Sequence, residues 1–237
     1  MGSKAPPRTN RVGVVIVAAG ESQRMQGVDK ILAPVLGTPL LLHSLQVFQN
    51  SSLVDHIAIT LSKANLQEGH SLLDAHGWGK VRALTPGGAS RRDSVALGLR
   101  ALPPTDWVLV HDGARPVIDE GILSRGLSAA EATGAAVPVV TAVDTIKHHN
   151  SDGTVISTLP TKTIGLAQTP QVFQRTILLE AHERCLGSFT DDASMVESLG
   201  YEVKIFPGSR TNIKVTTRED LVLVEALLSA NDVPTTA

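Results

Sequence analysis

The first strong pattern along the chain is an unbroken apolar run. Arg11 leads into RVGVVIVAAG, whose Val and Ile residues favour extended backbone. A strand that is apolar on both faces belongs inside a parallel sheet. PLLLHSLQVFQN (39–50) then returns Leu42, Leu45 and Phe48 at helical spacing, with Pro39 suited to the first turn. VDHIAITL, from Val54, predicts a second strand, Leu66 to His76 a helix, and Lys80 to Leu84 a short strand. Ser90 to Leu102 predicts a helix with Val95, Leu99 and Leu102 on one side. WVLVHDGARP reads as strand and turn. A helix follows from Asp119, or the turn before it, through Thr133, and Ala135 to Val143 is another strand. This alternation predicts α/β layers on a mostly parallel sheet with right-handed crossovers.

The pattern breaks over 144–165. Two strand-like segments flank a turn at Asn150 to Gly153, and Asp152-Gly153 is a hairpin signal. The hairpin carries too little apolar surface for a core of its own. It is either an arm that meets a partner surface or a hairpin folded back on its own subunit. Helices over 175–186 and 191–199, a strand over 201–206 and a helix over 218–229 follow. Thr216 or Thr217 can cap the last helix, with Glu219 and Asp220 near its positive end. MGSKAPPRTN and NDVPTTA are polar ends. The expected organisation is a disordered tail (1–10), one domain (11–231) with an arm inserted at about 144–165, and a flexible C-terminus (232–237).

Length and composition fit this picture. The 237 residues suit one large domain, and 42% hydrophobic content with 3% aromatics predicts an aliphatic core. A net charge of -2, from 21 Lys+Arg against 23 Asp+Glu, argues against a nucleic-acid backbone binder. It leaves room for a small anionic ligand. The single cysteine, Cys185, excludes an intrachain disulfide and reads as a packing residue in TILLEAHERCL. No Cys/His grouping has zinc-ligand spacing. No apolar run reaches the roughly 18 to 20 residues of a membrane span, and the start lacks the apolar core of a secretory signal. A cytoplasmic protein is expected.

Candidate chemistry lies in the turns. VIVAAGESQRM lacks both GxGxxG and the P-loop pattern. Ala18, Ala19 and Gly20 allow a ligand close to the backbone, and Arg24 and Lys30 add positive charge. A plain strand-to-helix turn fits that segment too. In PGGASRRDSV, Gly87 and Gly88 make a tight turn, while Arg91 and Ser94 could hold a base or sugar; an ordinary glycine turn with an N-cap is the alternative. VHDGARPV puts His111, Asp112 and Arg115 beyond a strand's carboxyl end, where open α/β sheets bind ligands. Several such turns after separate strands point to one ligand site. In FTDDAS, Asp191 and Asp192 resemble a metal pair, but a helix cap by Thr190 or Asp191 with loop anchoring is the better reading. His148 and His149 read as solvent-facing or interfacial, and His111 as support for its turn.

VIVAAGESQRM resembles the signature turn of sugar-phosphate nucleotidyltransferases. Together with VLVHDGARP it resembles, more narrowly, the 2-C-methyl-D-erythritol 4-phosphate cytidylyltransferases of non-mevalonate isoprenoid synthesis. GGASRRDSV, VPVVTAVDTIK, AQTPQVF, FTDDAS and TNIKVTTREDL are similar to family blocks in the same order, from residue 12 to about 229. The resemblance implies a three-layer, Rossmann-like nucleotidyltransferase fold with a projecting β-hairpin dimerisation arm. It implies transfer of CMP from CTP to the 4-phosphate of methylerythritol, with release of pyrophosphate.

The same resemblance assigns roles. Arg24, Lys30 and Lys214 would contact the triphosphate and stabilise charge at the α-phosphorus. This agrees with the chemistry, because an anionic attacking phosphate hardly needs a general base. Ala18, Ala19 and Gly20 would line the phosphates. Gly87, Gly88 and Ser94 would hold the cytidine, with Arg91 nearby, in a small pocket that selects a pyrimidine. Asp112 would sit by the triphosphate and Mg2+, which suits one or two carboxylates plus substrate phosphates. Arg115 would position the acceptor. Thr145 would contact it from the other subunit's arm, which implies a homodimer. One departure concerns the acceptor side: Thr161 stands where the family carries an arginine, and Lys162 is adjacent. Lysine brings charge without arginine's planar fork, and on a strand it would face the opposite side. Ser22 also replaces a common glycine. Competing readings are a cytidylyltransferase for ribitol 5-phosphate or another polyol phosphate, and a non-catalytic nucleotide-binding dimer. Retention of Arg24, Lys30, Asp112 and Lys214 together argues against the dimer that lacks activity.

Overall fold

A computed structural model describes residues 10–20 and 29–231. Arg24 and Ser22, and all but Asn10 of the tail, lie outside the described residues, as does 232–237. The first half of the chain forms β1 (Val12–Ala18), β2 (Pro34–Val35), β3 (Thr38–Pro39), α1 (Leu40–Asn50), β4 (His56–Leu61), α2 (Leu66–His76), β5 (Val81–Pro86), α3 (Arg91–Ala101) and β6 (Trp107–Asp112). The second half forms α4 (Glu120–Ala130), β7 (Ala135–Thr141), β8 (Lys147–His149), β9 (Val155–Thr158), β10 (Gly165–Ala167), β11 (Gln171–Gln174), α5 (Arg175–Arg184), α6 (Asp192–Ser198), β12 (Lys204–Pro207) and α7 (Arg218–Asn231).

Among the described residues the main sheet has eight strands, in the order β10-β7-β11-β6-β1-β4-β5 with β12 added beside β7. β1 runs parallel to β4 and β6, β4 to β5, and β7 to β12. β10 and β11 run antiparallel to their neighbours. Alternation along the strands builds the layers. Val14 and Ile16 of β1 join Leu41, Leu45 and Phe48 of α1 and Ile122 of α4 in one core. Val15 points the other way, into a second core with Val95 and Leu99 of α3, Leu178 of α5 and Val196 of α6. The sheet is therefore covered on both faces, as its apolar strands require.

The hairpin over 144–165 forms as β8 and β9, paired antiparallel. Val155 and Ile156 are 54% and 58% exposed, so among the described residues this apolar pair is left largely uncovered. Several boundaries differ from the sequence reading. α4 ends at Ala130 rather than Thr133, and β12 begins at Lys204 rather than Tyr201. Pro39 caps α1 from outside instead of opening it. Lys162 does not lie on a strand: Thr161–Thr163 is a 3-10 turn, so strand alternation does not decide where it points.

Candidate active site

Parallel strands deliver their following turns to one edge of the sheet. Val17 of β1 lies opposite Asp112 of β6, and Ala18 opposite Leu61 of β4. The Gly87 N–H donates to the Leu61 carbonyl at 2.8 Å, which carries the turn after β5 back across β4. There it meets the turn after β1. A Cβ on Gly87 would fall 2.1 Å from the Ala19 Cβ, so only glycine allows this approach. Gly88 donates to Ser94 Oγ at 3.1 Å, and Ser94 Oγ donates to the Ser90 carbonyl at 2.9 Å. The Ser94 hydroxyl thus holds the turn in shape. Ser90 and Asp93 complete a capping box that starts α3. Ala18 is buried, Ala19 half-buried and Gly20 exposed, with open space where a Gly20 side chain would be.

Asp112, at the end of β6, is the electrostatic centre. Its Oδ1 accepts from Arg91 Nε at 3.0 Å and its Oδ2 from Lys214 Nζ at 2.7 Å. Burial pushes its carboxyl pKa up, but Arg91, Lys214 and Arg115 outweigh that and hold it far below the usual carboxylate range. Arg91 is correspondingly pushed up: burial opposes its charge, and Asp192 and Asp112 more than compensate. Arg115 Nη1 donates to the Asn212 carbonyl at 2.6 Å. A cleft of about 230 Å³ is lined by Arg91, Asp112, Arg115, Gln168, Thr190 and Lys214 among others. Lys30 is half-buried on the loop that leads to β2. Asp29 shapes that loop, accepting from the Ile31 N–H at 3.0 Å and from the Asn65 amide. Thr145 and Lys162 are both exposed and do not line the cleft within one chain.

Supports that the sequence did not reveal hold Asp112 from behind. The Asp112 N–H donates to Thr169 Oγ1 at 3.0 Å. Thr169 Oγ1 lies 3.1 Å from His111 Nδ1, and His111 Nε2 lies 3.0 Å from the Arg115 carbonyl. The relay is consistent if His111 is neutral with its proton on Nε2. Burial, partly offset by Asp112, pushes the His111 pKa down to about 4, which keeps the ring neutral. His111 is therefore a brace for the HDGAR turn, as its position suggested. Asn212 Nδ2 donates to the Thr169 carbonyl at 2.8 Å, and Val215 N–H donates to the Ala114 carbonyl at 2.8 Å. These bonds bring the NIKVT segment, and with it Lys214, against the turn after β6. In FTDDAS, Asp191 caps α6 through the Ser194 N–H at 2.9 Å, while Asp192 pairs with Arg91 at 2.6 Å. Among the described residues no cluster of His, Cys, Asp and Glu could by itself hold a metal.

A glycine turn packed against the turn after β1, near a carboxylate ringed by cations at the end of a mostly parallel sheet, suits an anionic ligand such as a nucleotide. Fold and site define the nucleotidyltransferase class. The sequence profile of 2-C-methyl-D-erythritol 4-phosphate cytidylyltransferase matches residues 12–230. The chain is 47% identical over 218 residues to the enzyme of that name from Dehalococcoides mccartyi strain 195, covering 92% of this chain and 96% of that protein. It superposes with a TM-score of 0.82 on 4-diphosphocytidyl-2C-methyl-D-erythritol synthase from Anaerococcus prevotii, at 27% identity, covering 93% and 96% of the two chains. For the Thermus thermophilus cytidylyltransferase the TM-score is 0.74 at 34% identity, covering 91% and 98%. The chain belongs to the 2-C-methyl-D-erythritol 4-phosphate cytidylyltransferase family.

Proposed function

We propose a division of labour for the reaction of this enzyme, which transfers CMP from CTP to 2-C-methyl-D-erythritol 4-phosphate. The products are 4-diphosphocytidyl-2-C-methyl-D-erythritol and pyrophosphate. The observation that carries the proposal is Asp112 held between Arg91 and Lys214 in the cleft. The acceptor's phosphate oxygen attacks the α-phosphorus of CTP, and the bond to the bridging oxygen of pyrophosphate breaks. Both partners are anionic, so the protein's work is charge neutralisation and alignment. Lys30, Lys214 and Arg24 supply the cations for the triphosphate. Ala18, Ala19 and Gly20 bring backbone close to its oxygens. Gly87, Gly88 and Ser94 form the base pocket, whose narrow turn admits a pyrimidine, with Arg91 at its edge.

Asp112 is the carboxylate that would hold Mg2+. The donor set fits once Lys214 turns from Asp112 Oδ2 to the triphosphate: that oxygen then faces the cleft, and with no cage of His, Cys, Asp and Glu among the described residues the remaining positions fall to phosphate and water. When bound, the cation neutralises phosphate charge. Arg115 is the cleft's acceptor-side cation. Thr145 and Lys162 are exposed in the single chain, and the hairpin exposes Val155 and Ile156. These facts support a homodimer in which each arm delivers Thr145 to the partner's cleft. No described helix is long and apolar enough to cross a membrane.

Calorimetric titration with CTP and Mg2+ tests the nucleotide side. Wild-type protein should bind CTP well ahead of ATP, and Lys214→Ala should bind CTP about tenfold more weakly through loss of one charge-assisted contact. Unchanged affinity in Lys214→Ala would remove that lysine from the site.

A further inference from the structure

A second buried carboxylate stands behind the cleft. Asp192 opens α6, and its side chain is fully buried. Its Oδ2 accepts from Arg91 Nη1 at 2.6 Å, and its Oδ1 lies 3.5 Å from His182 Nε2 on α5. The start of α6 is tied to the central sheet. Gln171 of β11 donates to Asp191 Oδ2 at 2.7 Å and accepts from the Ala193 N–H at 3.1 Å. Asp192 is thus a fixed point. Arg91 sits at the start of α3 on a long side chain with many rotamers, and its guanidinium joins Asp192 to Asp112. On the other side of Asp112, Lys214 is 40% exposed and faces the cleft. If Lys214 turns toward an incoming triphosphate, Arg91 becomes the remaining anchor of the Asp112 carboxylate, and Asp192 the anchor of Arg91.

We propose that Asp192 is a positioning residue for the nucleotide site: it fixes the Arg91 guanidinium, and through it Asp112, in the arrangement that receives CTP. This rests on Arg91 and Asp112 being nucleotide-side residues. A guanidinium held between Asp192 at a fixed helix start and Asp112 at a strand end loses little freedom when ligand arrives. Without Asp192 the guanidinium must be ordered by the ligand itself. The cost therefore falls on CTP binding.

The test is a cycle of Asp192→Asn, Arg91→Ala and the double variant in the full chain. Steady-state KM for CTP, KM for the acceptor and kcat are measured at saturating Mg2+, with Tm alongside. Asp192→Asn should raise KM for CTP about tenfold, as small misplacements in binding sites do, and leave the acceptor KM within about twofold. The double variant should match Arg91→Ala, because Asp192 acts only through that arginine. Additive losses would overturn the proposal. So would a lower Tm with an unchanged KM for CTP, the mark of a merely structural carboxylate. If Arg91→Ala raises KM for CTP and Asp192→Asn does not, the inference fails and the nucleotide role of Arg91 stands. If Arg91→Ala itself leaves KM unchanged, the underlying assignment fails. Should Asp192→Asn not fold, Asp192→Glu keeps the charge and displaces the guanidinium. It should raise KM for CTP by a smaller factor, and a wild-type value would overturn the proposal.

Discussion

Asp112 stays charged while buried because Arg91, Lys214 and Arg115 surround it, and the proposed metal role needs that charge. Asp112→Ala should lower Mg2+-dependent turnover and raise the Mg2+ concentration needed for half-maximal rate. An unchanged Mg2+ titration would take Asp112 out of the metal site. Under the proposed mechanism the charge of half-buried Lys30 acts on the transition state. Lys30→Ala should reduce kcat by at least about 100-fold, the scale of losing one preorganised charge at a reacting centre. Near-normal kcat in the purified variant would refute that role. The residues that could be found from the sequence, such as Gly87, Asp112 and Arg115, are glycines and charges placed directly after apolar strands. Thr169, Asn212 and Asp192 could not be found that way. They bond to partners 57, 43 and 101 positions away, and no local pattern records such a separation.

At the scale of elements, periodicity and caps did most of the work. Leu66–His76 emerges as α2 because its ends carry helix signals, with Gly77 in the left-handed region just beyond. β10 and β11 went unseen: each is short, and neither alternates clearly. The last helix depends on Asp220, whose Oδ2 accepts from the Thr216 and Thr217 N–H groups at 2.7 and 2.9 Å. Partial burial pushes its pKa up, but these hydrogen bonds outweigh it and the net shift is downward. The cap is thus complete above the ordinary carboxylate range and is lost as pH falls through the lowered folded value. Asp220→Ala should lower stability by about 1 kcal/mol near neutral pH, with the difference from wild type vanishing in strong acid. Thermal melts across pH read this directly. A gap that persists in acid would show that the carboxylate is not what holds the helix end.

At the scale of the molecule, the two covered faces of the sheet account for the fold, and the uncovered hairpin asks for a partner. A two-stranded ribbon is marginally stable at best by itself in water, and the proposed homodimer would give exposed Val155 and Ile156 a surface to pack against. Ile156→Asp should move the protein from dimer to monomer in light scattering and reduce turnover with it. A mass that stays dimeric would place the interface elsewhere.

The most direct measurement is Mg2+-dependent pyrophosphate release from CTP by the purified protein, with 2-C-methyl-D-erythritol 4-phosphate or ribitol 5-phosphate as acceptor. The account predicts release with the first and none above background with the second, which would show that the cleft receives its acceptor without an arginine at position 161. Release with ribitol 5-phosphate alone would contradict it, leaving the nucleotide site intact and the acceptor wrong.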